Sequence, residues 1–401
     1  MRNPSRREFI GSAAVAAVTV GSGVTGSIAG ANDRINLAVL GVGQRGLLKE
    51  AVQFADESGI RITAICDTWR GRCDQGATYV KEMLGYEPDK LIDYRDVLSR
   101  KDIDAVLIST PDHQHCTMLS AAVKAGKDVY VEKPLAYDFD ELKKTVADVR
   151  ASGQVVQVGT QIRSLPASVG ARELYESGKL GKAFKIEQSR NSRVPFWHQK
   201  ARPNLKESEV DWNLFLFNRE ERRFDPDVYS AWMGYREFCL GVHTQLMVHF
   251  IDTVHYITGA EFPEKVTALA GTYVHKDQRT CADSMEVLMD YPKDGFLVRY
   301  GTFFGSGDGN FFRFFGENGT LNALRWSWDD PFTIEERDGK ATGPAPLGRS
   351  THHMMNFFDC IRSREKPSAD IESGLGHAVA SLMAEKSIVE GRTVSLKELD
   401  L

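Results

Sequence analysis

The stretch Ile35-Asn36-Leu37-Ala38-Val39-Leu40-Gly41-Val42-Gly43-Gln44-Arg45-Gly46 decides how this chain folds. Its first six residues form a short apolar run bounded by polar ones, the pattern of a buried parallel strand. Glycines follow at the spacing G-x-G-x-x-G, and a helical pattern then runs to about Glu57. A strand before and a helix after give that spacing its meaning. Gly41 permits a tight turn, Gly43 lets the backbone approach a pyrophosphate, and Gly46 lets the helix pack on the strand. The helix start offers unpaired N–H groups and a positive dipole end to phosphate. Gln44 and Arg45 lie within the turn and complete the candidate phosphate-binding set.

Working outward, the strand Arg61–Cys66 ends at Asp67, 21 residues after Gly46. An acid there accepts hydrogen bonds from an adenosine ribose diol and repels a 2′-phosphate, which favours NAD. Arg70 and Arg72 stand close by and keep NADP open. Strands and helices then alternate. Ala105–Thr110 is closed by Pro111, and a helix from about Cys116 to Ala125 leads to the strand Asp128–Val131. A helix from Asp138 to Arg150 leads to the strand Val155–Val158. Strict alternation implies an α/β fold with a doubly wound parallel sheet. Ligands of such sheets sit outside the carboxyl ends of the strands. Gly41–Gly46, Asp67, Thr110–His115 and Glu132–Pro134 all fall there.

The chain has 401 residues, 42% hydrophobic and 26% charged. That length suggests two domains with ample core, and the composition excludes a disordered or collagen-like chain. The net charge is −5; Arg2, Arg6 and Arg7 against Glu8 leave residues 1–31 at +2 and the remainder at −7. A mildly acidic body has no basic surplus to displace phosphate counterions, so nucleic acid is not the expected partner. After residue 31 no strongly apolar stretch is long enough to span a membrane. The six cysteines are irregularly spaced, with no C-x-x-C pair to suggest zinc or a redox dithiol. They read as buried small apolar residues, and no metal site is expected.

Residues 1–31 read as an address. Ser5-Arg6-Arg7-Glu8-Phe9-Ile10-Gly11 is followed by an Ala/Val/Gly-rich stretch and then Ala29-Gly30-Ala31, a small-x-small cleavage site. This resembles the twin-arginine pattern S-R-R-x-F-(L/I), with Gly11 where Lys is frequent. The expectation is a signal peptide for the twin-arginine export machinery and a periplasmic location. That route carries proteins already folded, often with a cofactor inside.

Glu132-Lys133-Pro134 after a strand, with Thr110-Pro111-Asp112-His113-Gln114-His115, resembles the Gfo/Idh/MocA family (glucose–fructose oxidoreductase, inositol dehydrogenase, MocA). The resemblance extends over residues 33–395. It takes in Gly159 with Gln161 and Arg163, then His249-Phe250-Ile251-Asp252 ahead of Gly259, and a tail reading His353-x-x-Asn356-Phe357-Phe358-Asp359-Cys360-Ile361. It implies a Rossmann domain over residues 32–160 and an α+β domain over 161–350. The second domain would carry a large open, mostly antiparallel sheet, with C-terminal helices over 351–401 packing back toward the first. Strand-like runs at Lys185–Ser189, Lys265–Gly271, Ser284–Asp290, Phe296–Thr302 and Phe311–Phe315 suit that plan. Thr351–Ser363 and Leu375–Glu390 read as helices. A homo-oligomer through the second sheet is implied as well.

By this resemblance Lys133 is the catalytic lysine. A lysine in a low-dielectric pocket beside a cofactor loses pKa and can pass a proton to or from a hydroxyl. Glu132 contacts the cofactor or orients Lys133, and Thr110, Pro111, His115 and Gln161 join the cofactor site. His249 matches the family's second catalytic group, with Asp252 to orient it, and neutral imidazole suits the uptake of a hydroxyl proton. Many relatives read D-x-G-x-H-x-x-D, whereas this chain places Gln245 at the first acid and Met247 at the glycine, so the proton relay is incomplete. His243 lies just upstream as a second candidate imidazole. Arg163, Gln245 and Asp252 are candidate substrate residues, as are Trp232 and Arg236. The latter two come from a segment, Asn191–Phe238, rich in Arg, Trp, Tyr and Phe, including His198, Trp212 and Tyr229. Aromatic faces with forked donors suit sugar rings, and equally an interface or plain core.

Two functions follow from the resemblance. One is oxidation of a sugar, glycoside or cyclitol hydroxyl by hydride transfer to a tightly held NAD(P). The other is redox-neutral glycoside hydrolysis or elimination: transient oxidation, loss of the C1 substituent, addition of water, and return of the hydride. A paired oxidation and reduction of two sugars would also close the redox cycle. A noncatalytic sugar-binding protein is the third class, and Lys133 argues against it.

Overall fold

The computed structural model describes residues 34–43, 45–197, 202–323 and 330–400. The expected address over residues 1–31, and the candidates Gln44 and His198, lie outside the described residues.

Six strands make the first sheet: β1 (Ile35–Leu40), β2 (Ile60–Cys66), β3 (Asp89–Leu91), β4 (Ala105–Ile108), β5 (Asp128–Glu132) and β6 (Val156–Gly159). Their order is β3-β2-β1-β4-β5-β6, and every pairing is parallel. Order reverses beside β1, so the crevice at its carboxyl end is the switch point where such sheets take ligands. Leu37, Ala38, Val39 and Leu40 are wholly buried, as a strand covered on both faces requires. Asp138 caps the helix Phe139–Ser152, accepting from the Glu141 N–H at 2.8 Å.

The second sheet has nine described strands: β7 (Ala183–Ser189), β8 (Lys265–Gly271), β9 (Ser284–Tyr291), β10 (Phe296–Phe303), β11 (Phe311–Gly316), β12 (Gly319–Ala323), β13 (Thr333–Glu336), β14 (Ala341–Pro344) and β15 (Val394–Ser395). They run β14-β13-β12-β11-β7-β10-β9-β8-β15, antiparallel except where β7 meets β10. All five strand-like runs read from the sequence are present within a residue or two at either end. The short strands β3, β12, β13, β14 and β15 were not foreseen, being too brief or too polar to show alternation. One face of this sheet packs on the helix Val248–Thr258, where Phe250 meets Tyr300 and Phe312 at ring distances of 5.8 and 5.2 Å.

The C-terminal residues serve both sheets. The helix His353–Ser363 places Met354, Phe357 and Phe358 in one cluster with Leu37, Val39, Leu107 and Tyr130 of the first sheet. The helix Ile371–Glu390 packs on β8, on Val248–Thr258 and on Phe139–Ser152. The tail then returns to the second sheet as its edge strand β15, an addition to the expected pair of helices.

Candidate active site

The glycine turn is shaped for a close neighbour. Gly41 sits at φ 85, and a Cβ there would fall 2.6 Å from the Ser109 carbonyl oxygen, so no other residue fits between β1 and β4. Gly46 caps the helix Leu47–Phe54 in the left-handed region with no side chain over the first free N–H groups. Asp67, at the end of β2, accepts from the Val42 N–H at 3.0 Å and the Trp69 N–H at 2.9 Å. Gly41, Gly43, Asp67, Thr110 and Pro111 line one wall of a cleft at the carboxyl ends of β1, β2 and β4. Arg45 lines it too and sets its Nε 2.7 Å from Glu132 Oε1, while its Nη2 is buried without a hydrogen-bond partner. Thr160 Oγ1 and Gln161 Oε1, just past β6, are likewise buried and unbonded among the described residues. A bare helix start, a ribose-type acid and unsatisfied polar atoms along the strand ends fit a bound dinucleotide.

A strap formed by residues 205–238 makes the opposite wall, with Phe215, Tyr229, Trp232 and Met233 facing the cleft. The Asp211 N–H donates to the Thr68 carbonyl at 2.7 Å, and Val210 bridges Trp69. The Tyr229 hydroxyl lies 3.2 Å from Thr68 Oγ1 and 3.5 Å from Asp67 Oδ1. On the other side Gln114 Nε2 donates to the Phe215 carbonyl at 2.9 Å. Trp69, Trp212, Phe215 and Tyr229 give the strap a core of its own. The aromatic segment, read as suited to sugar rings, an interface or plain core, therefore forms the wall facing Gly41 and Asp67, and Trp232 belongs to that wall. The sequence signal was there in the aromatic spacing, but nothing in it said which ligand the rings would face.

Lys133 directly follows β5, and its peptide bond to Pro134 is cis. Its ammonium donates to Gln245 Oε1 at 3.0 Å and lies 3.3 Å from the Gln245 carbonyl. Gln245 Nε2 in turn donates to Asp112 Oδ2 at 2.6 Å. Burial lowers the Lys133 ammonium from its ordinary value, with the Glu132 and Asp112 carboxylates opposing the fall. Burial also pushes the Asp112 carboxyl up to about 6. His249 is buried, and its Nδ1 has no hydrogen-bond partner among the described residues. Burial first, then the Lys133 and Arg190 cations, push its imidazole well below the ordinary value, so it is neutral at pH 7. Structure thus brings Lys133, Gln245 and His249 together.

Other candidates land elsewhere. His115 sets its ring nitrogens 2.7 Å from the Pro134 carbonyl and 2.9 Å from the Thr110 carbonyl. It ties the ends of β4 and β5 together and does not line the cleft. Arg163 and Asp252, expected at the substrate, satisfy each other: Nε to Oδ2 at 2.9 Å and Nη2 to Oδ1 at 2.6 Å, both side chains buried. Arg163 also donates to the Ser368 carbonyl at 2.7 Å, and His377 Nδ1 lies 3.2 Å from Asp252. Burial alone would raise the Asp252 carboxyl, yet the Arg163 guanidinium and the His377 bond hold it well below the carboxylate range. With its oxygens so taken, Asp252 anchors the helix that carries His249 and does not bond the imidazole. Arg236 pairs with Glu385, and His243 Nε2 lies 3.1 Å from the same carboxylate, so both are engaged by the helix Ile371–Glu390.

Asp112, Gln188 and Arg190 were missed. Ile186 and Gln188 alternate onto a buried face of β7, which a period of two would have shown, and Arg190 follows directly after the strand. Gln188 Oε1 is buried and unbonded there.

Comparison with known proteins agrees with this architecture. The profile of the GFO/IDH/MocA oxidoreductase family, NAD-binding Rossmann fold, matches residues 35–160, and that of the GFO/IDH/MocA C-terminal domain matches residues 213–322. Glycosyl hydrolase family 109 protein 1 of Shewanella sp. (strain ANA-3) is 34% identical across 92% of this chain and 85% of its own length. The NAD(+) scyllo-inositol 2-dehydrogenase of Bacillus subtilis (strain 168) is 33% identical over 37% of this chain and 42% of its own. Relatives matched over such shorter stretches are spanned for 27% to 42% of their length. Among solved structures, the aldose-aldose oxidoreductase of Caulobacter crescentus superposes with a TM-score of 0.70 at 18% identity, covering 90% of this chain and 100% of that one. At that identity the likeness is one of fold.

Proposed function

This chain belongs to the Gfo/Idh/MocA family of NAD-binding oxidoreductases, and from that premise we propose that it oxidises a hydroxyl-bearing carbon of a sugar, glycoside or cyclitol. The observation that carries the reading is a Lys133 ammonium held by Gln245 next to a neutral His249 whose Nδ1 has no partner. When bound, the nicotinamide supplies the hydride acceptor, and the protein supplies position and proton handling. Gly41, Gly43, the helix start and Asp67 would hold the dinucleotide. Lys133, held by Gln245, orients the substrate hydroxyl by donating from its ammonium to the hydroxyl oxygen. His249 takes the hydroxyl proton as the carbon is oxidised.

A second reading has support of its own. The relative matched over 92% of the chain is named a glycosyl hydrolase, and the strap closes the cleft with hydrogen bonds that a departing dinucleotide must break. A retained cofactor suits a cycle that ends with its hydride returned, so glycoside cleavage with no net redox change is the alternative. Incubating the purified protein with sugars and aryl glycosides, with no NAD added, separates the two. Steady aglycone release marks the hydrolase, and turnover only with an added acceptor marks the dehydrogenase. A protein that carries and binds no nicotinamide would refute both.

The Ser5-Arg6-Arg7 run and Ala29-Gly30-Ala31 support export through the twin-arginine route to the periplasm. Replacing Arg6 and Arg7 by Lys should leave precursor in the cytoplasm. The outward face of the second sheet carries exposed Leu269, Leu288, Leu297 and Phe303, which supports a homo-oligomer through that face. Sedimentation of a Leu288→Arg variant tests it, with a monomer expected.

A further inference from the structure

Gln245 is neutral, yet it bonds a cation on one side and a carboxylate on the other. Its Oε1 accepts from Lys133 at 3.0 Å and its Nε2 donates to Asp112 at 2.6 Å. A single amide can do both only in one orientation, so the Asp112 oxygen fixes which end of Gln245 faces Lys133. Asp112 itself is almost wholly buried, and it sits directly after Pro111, a residue of the cofactor cleft. A buried carboxylate is costly unless paired, and this amide joins it to the lysine.

We propose that Asp112, acting through Gln245, is the positioning residue that orients the Lys133 ammonium and keeps it charged at the reacting end. The carboxylate missing from position 245 is thereby supplied from the end of β4, one amide further away. Several charged or titratable groups surround the pair. His115 lies on Asp112's own segment, Glu132 and Arg45 come from β5 and the glycine turn, and Cys239 and His249 come from the second domain. Asp112 is the carboxylate of this set joined to Lys133 by a side chain. The assignment rests on the proposed role of Lys133 in orienting the substrate hydroxyl.

Asp112→Asn removes the charge and keeps an oxygen for Gln245 to bond. Titration of the lysine Nζ signals by NMR, with Lys133→Ala to assign the resonance, should then show Lys133 losing its proton about one pH unit lower. The turnover of whichever substrate proves active should fall about tenfold to a hundredfold in kcat, with KM changed less than about threefold. The double variant Asp112→Asn with Gln245→Asp puts the acid directly on Lys133 and should restore the titration and most of the rate. An unshifted Lys133 titration in Asp112→Asn would overturn the assignment, as would a double variant no better than the single one. Were no sugar or glycoside turned over, the proposed function would fail, while the NMR titration would still decide the role of Asp112.

Discussion

The surroundings of Asp67 and of Lys133 are built differently. The Asp67 carboxylate is satisfied: it accepts from two backbone N–H groups and meets the Tyr229 hydroxyl, and the strap beside it has an aromatic core of its own. His249 beside Lys133 keeps its Nδ1 buried and unbonded, and Gln161 Oε1, Thr160 Oγ1 and Gln188 Oε1 are likewise buried and unbonded among the described residues. Buried polar groups without partners cost stability, so a fold keeps them where a ligand will bond them.

The sharpest way to break this contrast is at Lys133. Lys133→Ala should lower turnover about a thousandfold while nicotinamide binding stays within a few fold, measured by steady-state kinetics and by fluorescence of the bound reduced cofactor. Next comes the buried pair behind the site. Asp252→Asn leaves the Arg163 cation uncompensated and should cost about 3–5 kcal/mol in denaturant unfolding, because that pair joins the end of β6 to the helix of His249. The third test concerns pH. Burial raises the Asp112 carboxyl to about 6 from an unfolded value near 3.9. Between those values the folded chain keeps a proton that the unfolded chain has lost. Stability therefore falls as pH rises from about 4 to about 6, by roughly 2–3 kcal/mol, and Asp112→Asn should abolish that part of the fall. Smallest is the strap: Tyr229→Ala should speed cofactor release about tenfold and leave kcat nearly unchanged, read by stopped-flow displacement.

Much of this contrast was legible in the sequence, and unevenly so. Gly41 and Asp67 could be placed because a turn and an acid at fixed distances from a strand have one geometry. Lys133 could be placed because it ends a strand of the same sheet. The pairing of Arg163 with Asp252 was not readable, since it joins positions 89 residues apart and sequence spacing says nothing of which cation meets which anion. Asp112 escaped for the same reason: its meaning depends on Gln245, from the other domain. Trp232 and Tyr229 stood in a segment read as suited to sugar rings, an interface or plain core, and the structure puts them on the wall facing Gly41 and Asp67, a placement that aromatic spacing alone does not specify.

The packing of Met354, Phe357 and Phe358 against Leu37 and Val39 also fixes a timetable. The opening strand of the first sheet is roofed by a helix that comes only after most of the second sheet in the chain, so this lobe can be closed only once that helix has been made. A premature stop anywhere before residue 353 would hand the cell an unroofed lobe with its greasiest strand bare.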